Sequence, residues 1–453
     1  MNKVLLVQQF LGDNHEVGPV FPIGLSYLAT YINQTDWSVR VFDMNIYDDP
    51  YRELLDTLAS FRPDVIGLSL RNIDNVDFEN FQYFYKEIDG LIPILKQHSD
   101  YLIIGGAGFS IFASEIMQQH KEIDFGIFQE GEDTIVELLQ ALNNRTPISN
   151  ILGLYYWEDG VLCFSGERNP IDFSKSPIPD RSFFDIQKYN KPLCMGIQTK
   201  RGCSLKCSYC IYPFLNKHTE RFRSPQSVVD EIETLVNKYQ IDEIIFCDDI
   251  FNVPINHSKQ IIEGIILRGI KIKWSAWFDV GSTDEELIRK AIKSGCYRFC
   301  FSLEGVVDSS LKLLHKNFDS KQANQLINIC MSKQFKDIDF RFSLFAMPPG
   351  QTYWGMIKTI CIVFKTHIMK LNSKCLISWI RLLPNTELYS AIDKPESNLL
   401  PPIVVGDDKD KLFYHNTSIN PFAIKLYRYL INRIIALRSI RKRLRLKNQE
   451  LWI

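Results

Sequence analysis

Three cysteines within the run RGCSLKCSYC constrain this chain more than anything else in it. Cys203, Cys207 and Cys210 stand in a C-x3-C-x2-C spacing just after the apolar segment from Leu193 to Gln198. Thiolates this close together bind metal. A tetrahedral zinc site needs a fourth ligand and usually a second Cys/His pair at a set distance downstream, and no such pair follows. Iron–sulfur clusters take thiolate ligands, and three of them on a four-iron cluster leave one iron without a protein ligand, open to a substrate or cofactor. The competing readings are a chance cluster of cysteines and a redox pair formed by Cys207 and Cys210.

At 453 residues the chain divides into two or three domains, each long enough to bury a core. A formal net charge of -1 gives no global field toward nucleic acid. The eleven cysteines are odd in number and lack a disulfide-framework spacing, which indicates a reducing compartment. The chain opens on the strand-like KVLLVQQF with no signal-peptide pattern, and no apolar run is long enough to span a bilayer. A soluble cytoplasmic protein is the expectation.

In the first 145 residues, apolar strand-like runs recur at Lys3 to Gln8, Ser38 to Asp43, Val65 to Leu70, Tyr101 to Gly105 and Phe125 to Phe128. Helical patterns separate them at Ile23 to Asn33, Tyr51 to Ser60, Phe81 to Lys96, Phe112 to His120 and Thr134 to Leu142. Strands too apolar to have a wet face, alternating with helices, predict a flavodoxin-like parallel sheet covered on both sides. Ligands of such sheets sit off the carboxyl ends of the strands, here the loops after Gln8, Asp43, Leu70, Gly105 and Phe128. Residues 146–190 then read as a hairpin around Glu158-Asp159-Gly160 and a Pro/Asp/Ser-rich linker.

From residue 191 to 390 the alternation resumes. Strands are predicted at Leu193 to Lys200, Glu243 to Cys247, Lys271 to Phe278, Arg298 to Leu303, Asp339 to Phe345 and Leu376 to Leu382. Helices are predicted at Ser224 to Tyr239, His257 to Leu267, Asp284 to Ser294, Ser320 to Lys333 and Tyr353 to Met369. Six strands suit a partial (β/α)6 barrel, whose chemistry lies at the carboxyl ends of its strands. Asp248, Asp249 and Asn252 stand past the second strand, as ligand groups or as turn and cap residues. Trp274 and Trp277 cannot both face inward on a regular strand, so one is free to line a pocket while the other packs. Residues 391–453 form a small helical region with a basic end from Arg438 to Lys447, either a solvated helix end or a contact for a membrane surface or carrier protein.

The cysteine spacing, on a loop after the first barrel strand, resembles the signature of the radical S-adenosylmethionine superfamily. PIGLSYLA, IGLSL, IGGAG and QEGEDT resemble the cobalamin-binding domain that opens one large class of that superfamily. The resemblance implies an α/β protein with an amino-terminal flavodoxin-like (Rossmann-like) cobalamin-binding domain, a partial TIM-like radical SAM barrel and a carboxy-terminal helical region. It implies a 4Fe-4S cluster on Cys203, Cys207 and Cys210, with S-adenosylmethionine on the open iron and Tyr209 near its adenine. Gly105, Gly106, Ala107 and Gly108 would admit the corrin and its nucleotide tail, and Glu130 and Gly131 would precede the last helix of that domain. Two candidates face the lower side of cobalt: His15, in Asp13-x-His15-x-x-Gly18, and Arg71, with Asn72 beside it, in LRNID.

In the barrel the same resemblance assigns Glu304, in FSLEG, to the ribose hydroxyls, and makes Asp249 and Arg341 catalytic candidates. Pro348 to Thr352 stands for a G-x-P-G-E-T turn, with Gln351 where the family has Glu. Arg381, in RLLPNTEL, is a candidate for the S-adenosylmethionine carboxylate or for a structural salt bridge. The activity implied is methyl transfer from S-adenosylmethionine through cobalamin to a carbon of a small molecule, drawing electrons from a flavodoxin or ferredoxin. QTKRGC, IYP and DDIFNVP resemble the branch that methylates an aromatic indole carbon. A cobalamin-dependent ring rearrangement or cyclisation is the enzymatic alternative, and a cobalamin sensor or carrier the non-enzymatic one.

Overall fold

The computed structural model describes residues 2–12, 19–370, 372–392 and 412–450, with side chains of the last helix described as far as 438. Five parallel strands form the first sheet: β1 (Lys3–Gln8), β2 (Ser38–Asp43), β3 (Val65–Ser69), β4 (Tyr101–Gly105) and β5 (Phe125–Ile127). The order is β2-β1-β3-β4-β5, so the chain reverses direction across the sheet between β1 and β3. That reversal opens a crevice beyond the carboxyl ends of these two strands. Val4 to Val7, Ile66, Leu102 and Ile104 are buried, as strands covered on both faces require.

β6 (Leu154–Glu158) and β7 (Val161–Phe164) form the expected hairpin, its turn made by Asp159 and Gly160 at positive φ. β6 pairs antiparallel with β5, so the hairpin continues the first sheet instead of standing in the joint. The third helix begins at Lys86 and not near Phe81. Before it, Asn75 N–H donates to Gln82 O at 3.1 Å and Asp74 bridges antiparallel to Tyr83, a pairing that takes residues 82 and 83 out of the helix. The helix expected at Phe112 to His120 is Ala113–Gln119, and a further short helix, Ala107–Ile111, precedes it.

The second sheet contains β8 (Gly196–Ile197), β11 (Glu243–Phe246), β12 (Lys273–Phe278), β13 (Cys296–Glu304), β14 (Asp339–Phe345) and β15 (Ser373–Ser378). All six are parallel and β8 and β15 are the edges, which is a barrel open on one side. A short antiparallel pair, β9 (Lys200–Arg201) and β10 (Arg221–Phe222), brackets the cysteine loop. Trp274, Ala276 and Phe278 share a face with Phe299, Phe301, Phe340 and Phe342, and pack against Ile261, Leu287 and Leu326 of the covering helices. Strand alternation sends Ser275, Trp277, Cys300, Ser302 and Ser343 to the opposite, concave side. Trp274 is thus core, its indole N–H donating to Ser294 O at 3.1 Å, and Trp277 is half-buried. β15 starts three residues before the predicted strand, because its ladder with β14 runs from Ser373 opposite Phe340 to Ser378 opposite Phe345 and ends there.

Candidate functional site between the two sheets

The cysteine loop leaves β9 through Gly202, whose φ is +85° and whose missing Cβ would lie 1.9 Å from Thr219 O. Only glycine fits there. Ser208 holds the loop's middle: its N–H donates to Leu314 O at 3.2 Å, its hydroxyl to Leu313 O at 2.9 Å, and its carbonyl accepts from Leu388 N–H at 2.8 Å. The three thiols are half-buried, and burial pushes Cys203 to about 11 and Cys210 to about 12. Cys203 and Cys210 without metal therefore hold their protons at neutral pH, and metal binding releases them. Among the described residues no three Cys, His, Asp or Glu converge on one metal-ion position. Cysteines on three different irons of a cluster need no such convergence, so the loop fits a cluster.

Asp248 and Asp249 follow β11 and differ sharply. Asp248 accepts from Thr199 N–H at 2.8 Å, Thr199 Oγ1 at 2.6 Å and Lys200 N–H at 3.2 Å, and so braces the segment leading into the cysteine loop. Asp249 takes no hydrogen bond among the described residues; burial first, and then the Asp248 carboxylate, push its carboxyl to about 7. Its charge is felt by Cys203, Cys210 and Tyr212, which places it toward the thiols.

Glu304 ends β13 after a register shift, at a left-handed φ of +62° that costs a non-glycine residue energy. The bend turns its buried carboxylate inward, where Ser343 Oγ donates to it at 3.4 Å and burial raises its pKa. Lys316 stands nearby: its Nζ is 4.0 Å from Cys207 Sγ and 3.5 Å from Tyr209 Oη. Tyr209 packs edge-on to Phe345, ring centres 4.8 Å apart.

A cavity of about 300 Å³ joins the two sheets. From the first come Leu6, Leu28, Gly67, Gly105, Gly106 and Ile135, an apolar slot narrowed by few side chains; from the second come Gln198, Arg201, Tyr212 and Asn216. Gly106 has a φ of +103°, and a Cβ there would meet Leu70 O at 2.6 Å. Gly108 N–H donates to Leu70 O and Arg71 O, both at 3.0 Å, tying the loop after β3 to the start of the helix after β4. On that loop Arg71 and Asn72 are exposed, and the Arg71 charge acts on Asp43, Tyr212 and Cys247. The guanidinium therefore faces the crevice between β11 and the first sheet. Beside the β1/β3 crevice, neither amide atom of the fully buried Gln9 has a hydrogen-bond partner among the described residues. A slot walled by Gly67, Gly105, Gly106 and Ala107 on one side and apolar side chains on the other fits the tail of a large macrocyclic cofactor such as cobalamin.

Charge locks the two sheets around this cavity. Glu130 accepts from Arg201 at 2.9 Å and from Arg221 at 2.6 Å, and Glu132 accepts from Arg201 at 2.5 Å. Arg201 lies 4.5 Å from the Phe173 ring centre. The residue that opens the cysteine loop is thereby fixed to the helix start after β5.

Residues 15–139 match the B12 binding domain and residues 197–360 the radical SAM superfamily. The chain joins a B12-binding domain to a radical SAM domain. An uncharacterized methyltransferase of Pyrococcus horikoshii is 26% identical over 67% of this chain and 64% of its own length. An anaerobic magnesium-protoporphyrin IX monomethyl ester cyclase of Rubrivivax gelatinosus is 24% identical over 68% of this chain and 56% of its own. The chain thus spans less than two thirds of these curated relatives. In fold it is similar to the radical S-adenosylmethionine methyltransferase TsrM of Kitasatospora setae, a structure with tryptophan substrate and a SAM analog bound. The TM-score is 0.77 at 19% identity, over 96% of this chain and 89% of that one.

The B12-binding domain places Gly105, Gly106, Ala107, Glu130 and Gly131 on the cavity wall, while Gly108 is buried against the Leu70–Arg71 backbone. Glu130 faces the cavity with its carboxylate already engaged by two arginines. His15 lies outside the described residues. In the radical SAM domain Asp249, Glu304, Tyr209 and the three cysteines share the carboxyl end of the barrel. Arg341 does not join them. It occupies the third position of β14, toward the amino end, its guanidinium held by both oxygens of Asp339, and it belongs to the scaffold. Arg381 is buried with Nε donating to Asp74 Oδ2 at 2.9 Å, the structural bridge of its two sequence readings. Gln351 is buried in its own turn against Gly355, and Thr352 caps the following helix. Sequence reasoning missed Lys316, Gln9 and the Arg201–Glu130–Arg221 lock. Lys316 and Gln9 carry no motif, and partners 71 and 91 residues apart leave no local pattern.

Proposed function

We propose that this protein is a cobalamin-dependent radical SAM C-methyltransferase that moves a methyl group from S-adenosylmethionine to a carbon of a small, indole-like molecule. The observation that carries the proposal is the cavity whose wall is shared by the glycine edge of the B12-binding domain and the cysteine-loop side of the radical SAM domain. When bound there, cobalamin carries the methyl group and the cluster offers an open iron and an electron. Cys203, Cys207 and Cys210 hold the cluster, with the Lys316 ammonium offsetting thiolate charge at Cys207. Gly105 and Gly106 admit the cobalamin tail.

Arg71, exposed on the loop after β3, would present a cation to cobalamin bound between the domains. Glu304 accepts from the ribose hydroxyls, and Tyr209 positions the adenine. Asp249, poised near neutrality, accepts a proton or hydrogen bond from substrate or from the S-adenosylmethionine amino group. Trp277, half-buried on the concave side of β12, supports an aromatic substrate. An external flavodoxin or ferredoxin supplies reducing equivalents.

Anaerobic reconstitution followed by mass spectrometry of indole-like candidates tests the reading. A product heavier by one methylene, formed without matching deoxyadenosine, supports polar methyl transfer to an aromatic carbon. Deoxyadenosine formed one for one with product moves the chemistry to hydrogen abstraction from an unactivated carbon. The similarity to the Rubrivivax cyclase favours a second reading, ring closure using both cofactors. A product with one new ring and no added carbon would establish that reading and overturn methyl transfer.

A further inference from the structure

The helix Tyr353–Phe364 buries Gly355, Met356, Thr359 and Val363 against the barrel. Its opposite side is also apolar: Tyr353, Trp354, Ile357, Cys361 and Phe364 are exposed, Trp354 by 62%. The spacing of 354, 357, 361 and 364 draws one stripe along the solvent side. A helix apolar all round is one that something covers. The helix Pro421–Glu450 packs beside it, burying Tyr427 and Ile431, and its outer side repeats the pattern with Phe422, Leu426, Tyr429, Leu430 and Leu437. Asn420 N–H donates to Tyr353 Oη at 3.3 Å where the two helices meet.

The charge of these helices is one-sided. Residues 353–369 and 421–449 contain no Asp or Glu, in a chain that has 53 of them. Lys358, Lys365, Lys425 and Arg433 border the stripes, and the second helix continues through RKRLRLK at 441–447. No described helix is long and apolar enough to cross a membrane.

We propose that this two-helix face docks on an anionic lipid bilayer, lying on the surface with its aromatic and aliphatic side chains at the headgroup–acyl boundary and its basic residues on lipid phosphates. Exposed aromatic rings interleaved with lysine and arginine, with no acid among them, match that interface on both counts. A second copy of the chain would bring two basic faces together, which Coulomb repulsion opposes.

Flotation of the full reconstituted chain with phosphatidylcholine vesicles and with phosphatidylcholine–phosphatidylglycerol vesicles tests this. The chain floats with the anionic vesicles only, and less at high salt. The double substitution Trp354→Glu, Phe422→Glu lowers vesicle-bound protein by about tenfold. Charge reversal at Lys442 and Arg443 lowers it independently. Both variants keep the wild-type circular dichroism and iron content, since Trp354 and Phe422 are exposed and outside the site. Four results overturn the proposal: no flotation; equal flotation of wild type and both variants; a concentration-dependent dimer that the double variant abolishes; or capture of flavodoxin or ferredoxin by this face in place of vesicles.

Discussion

Glu304 and Arg341 lie on neighbouring strands of one barrel and carry its buried charge in opposite ways. At the carboxyl end, Glu304 is buried on a left-handed bend, held by serine hydroxyls alone, Ser343 Oγ at 3.4 Å and Ser302. At the amino end, Arg341 and Arg298 share the Asp339 carboxylate, each within 2.7 Å. Asp248 and Asp249 repeat the contrast side by side: one accepts three hydrogen bonds, the other none among the described residues. A buried ionisable group left underpaired is costly and persists where a ligand completes it, whereas a fully paired one serves the scaffold. The difference separates site from structure within residues that look alike in sequence.

The largest effect belongs to the thiols. Cys207→Ala abolishes product formation and removes most of the iron bound after anaerobic reconstitution, measured by iron assay and visible absorbance. The next pair sets the two ends against each other. Glu304→Gln weakens S-adenosylmethionine binding about tenfold, near 1.4 kcal/mol, with little change in denaturant midpoint. Arg341→Met leaves that affinity intact and costs about 2 kcal/mol of stability, because Asp339 loses one of its two arginines. If Arg341→Met lowers affinity and Glu304→Gln lowers stability, the assignment of the two ends is reversed.

Gly105→Leu extends the test to the first sheet by filling the slot against Ile127. Cobalamin affinity falls several-fold in a spectroscopic titration, while iron content stays at the wild-type level. The smallest effect tests the amino end by pH. His367 is buried, and desolvation, aided by Arg438 and Arg341, lowers its pKa to about 4. The unfolded imidazole takes up a proton below about pH 6.5 while the folded one does not, so stability falls as pH drops from there toward 4. His367→Gln removes about 2 kcal/mol of that loss in urea titrations at pH 5 and 7.

Much of this was legible in the sequence. Continuous apolar runs alternating with 3.6-period segments placed the five parallel strands of the first sheet and four of the barrel strands to within two residues, because periodicity and burial are local properties, whereas the run from Leu193 to Lys200 shrinks to the two-residue strand Gly196–Ile197. The last strand was misplaced since its limits come from pairing with β14, a partner some thirty residues away. The late start of the Lys86–Gln97 helix follows from the pairing of Gln82 and Tyr83 with Asn75 and Asp74, which no helical period announces. The cysteine loop was visible as a spacing, and so were the glycines that line the cavity.

What the sequence alone determined is the chemistry available: three thiols on a strand-ending loop, a glycine-edged parallel sheet before them, and carboxylates after the barrel strands. Tertiary structure decided which of those groups are spoken for. Arg341 reads as a site residue until Asp339, two positions away, claims it, and Asp74, on the loop after β3, decides between the two readings of Arg381. Glu304 and Asp249 remain because, among the described residues, neither forms an ion pair: Lys316 and Lys200 act on them from a distance, and only the packed fold fixes those distances.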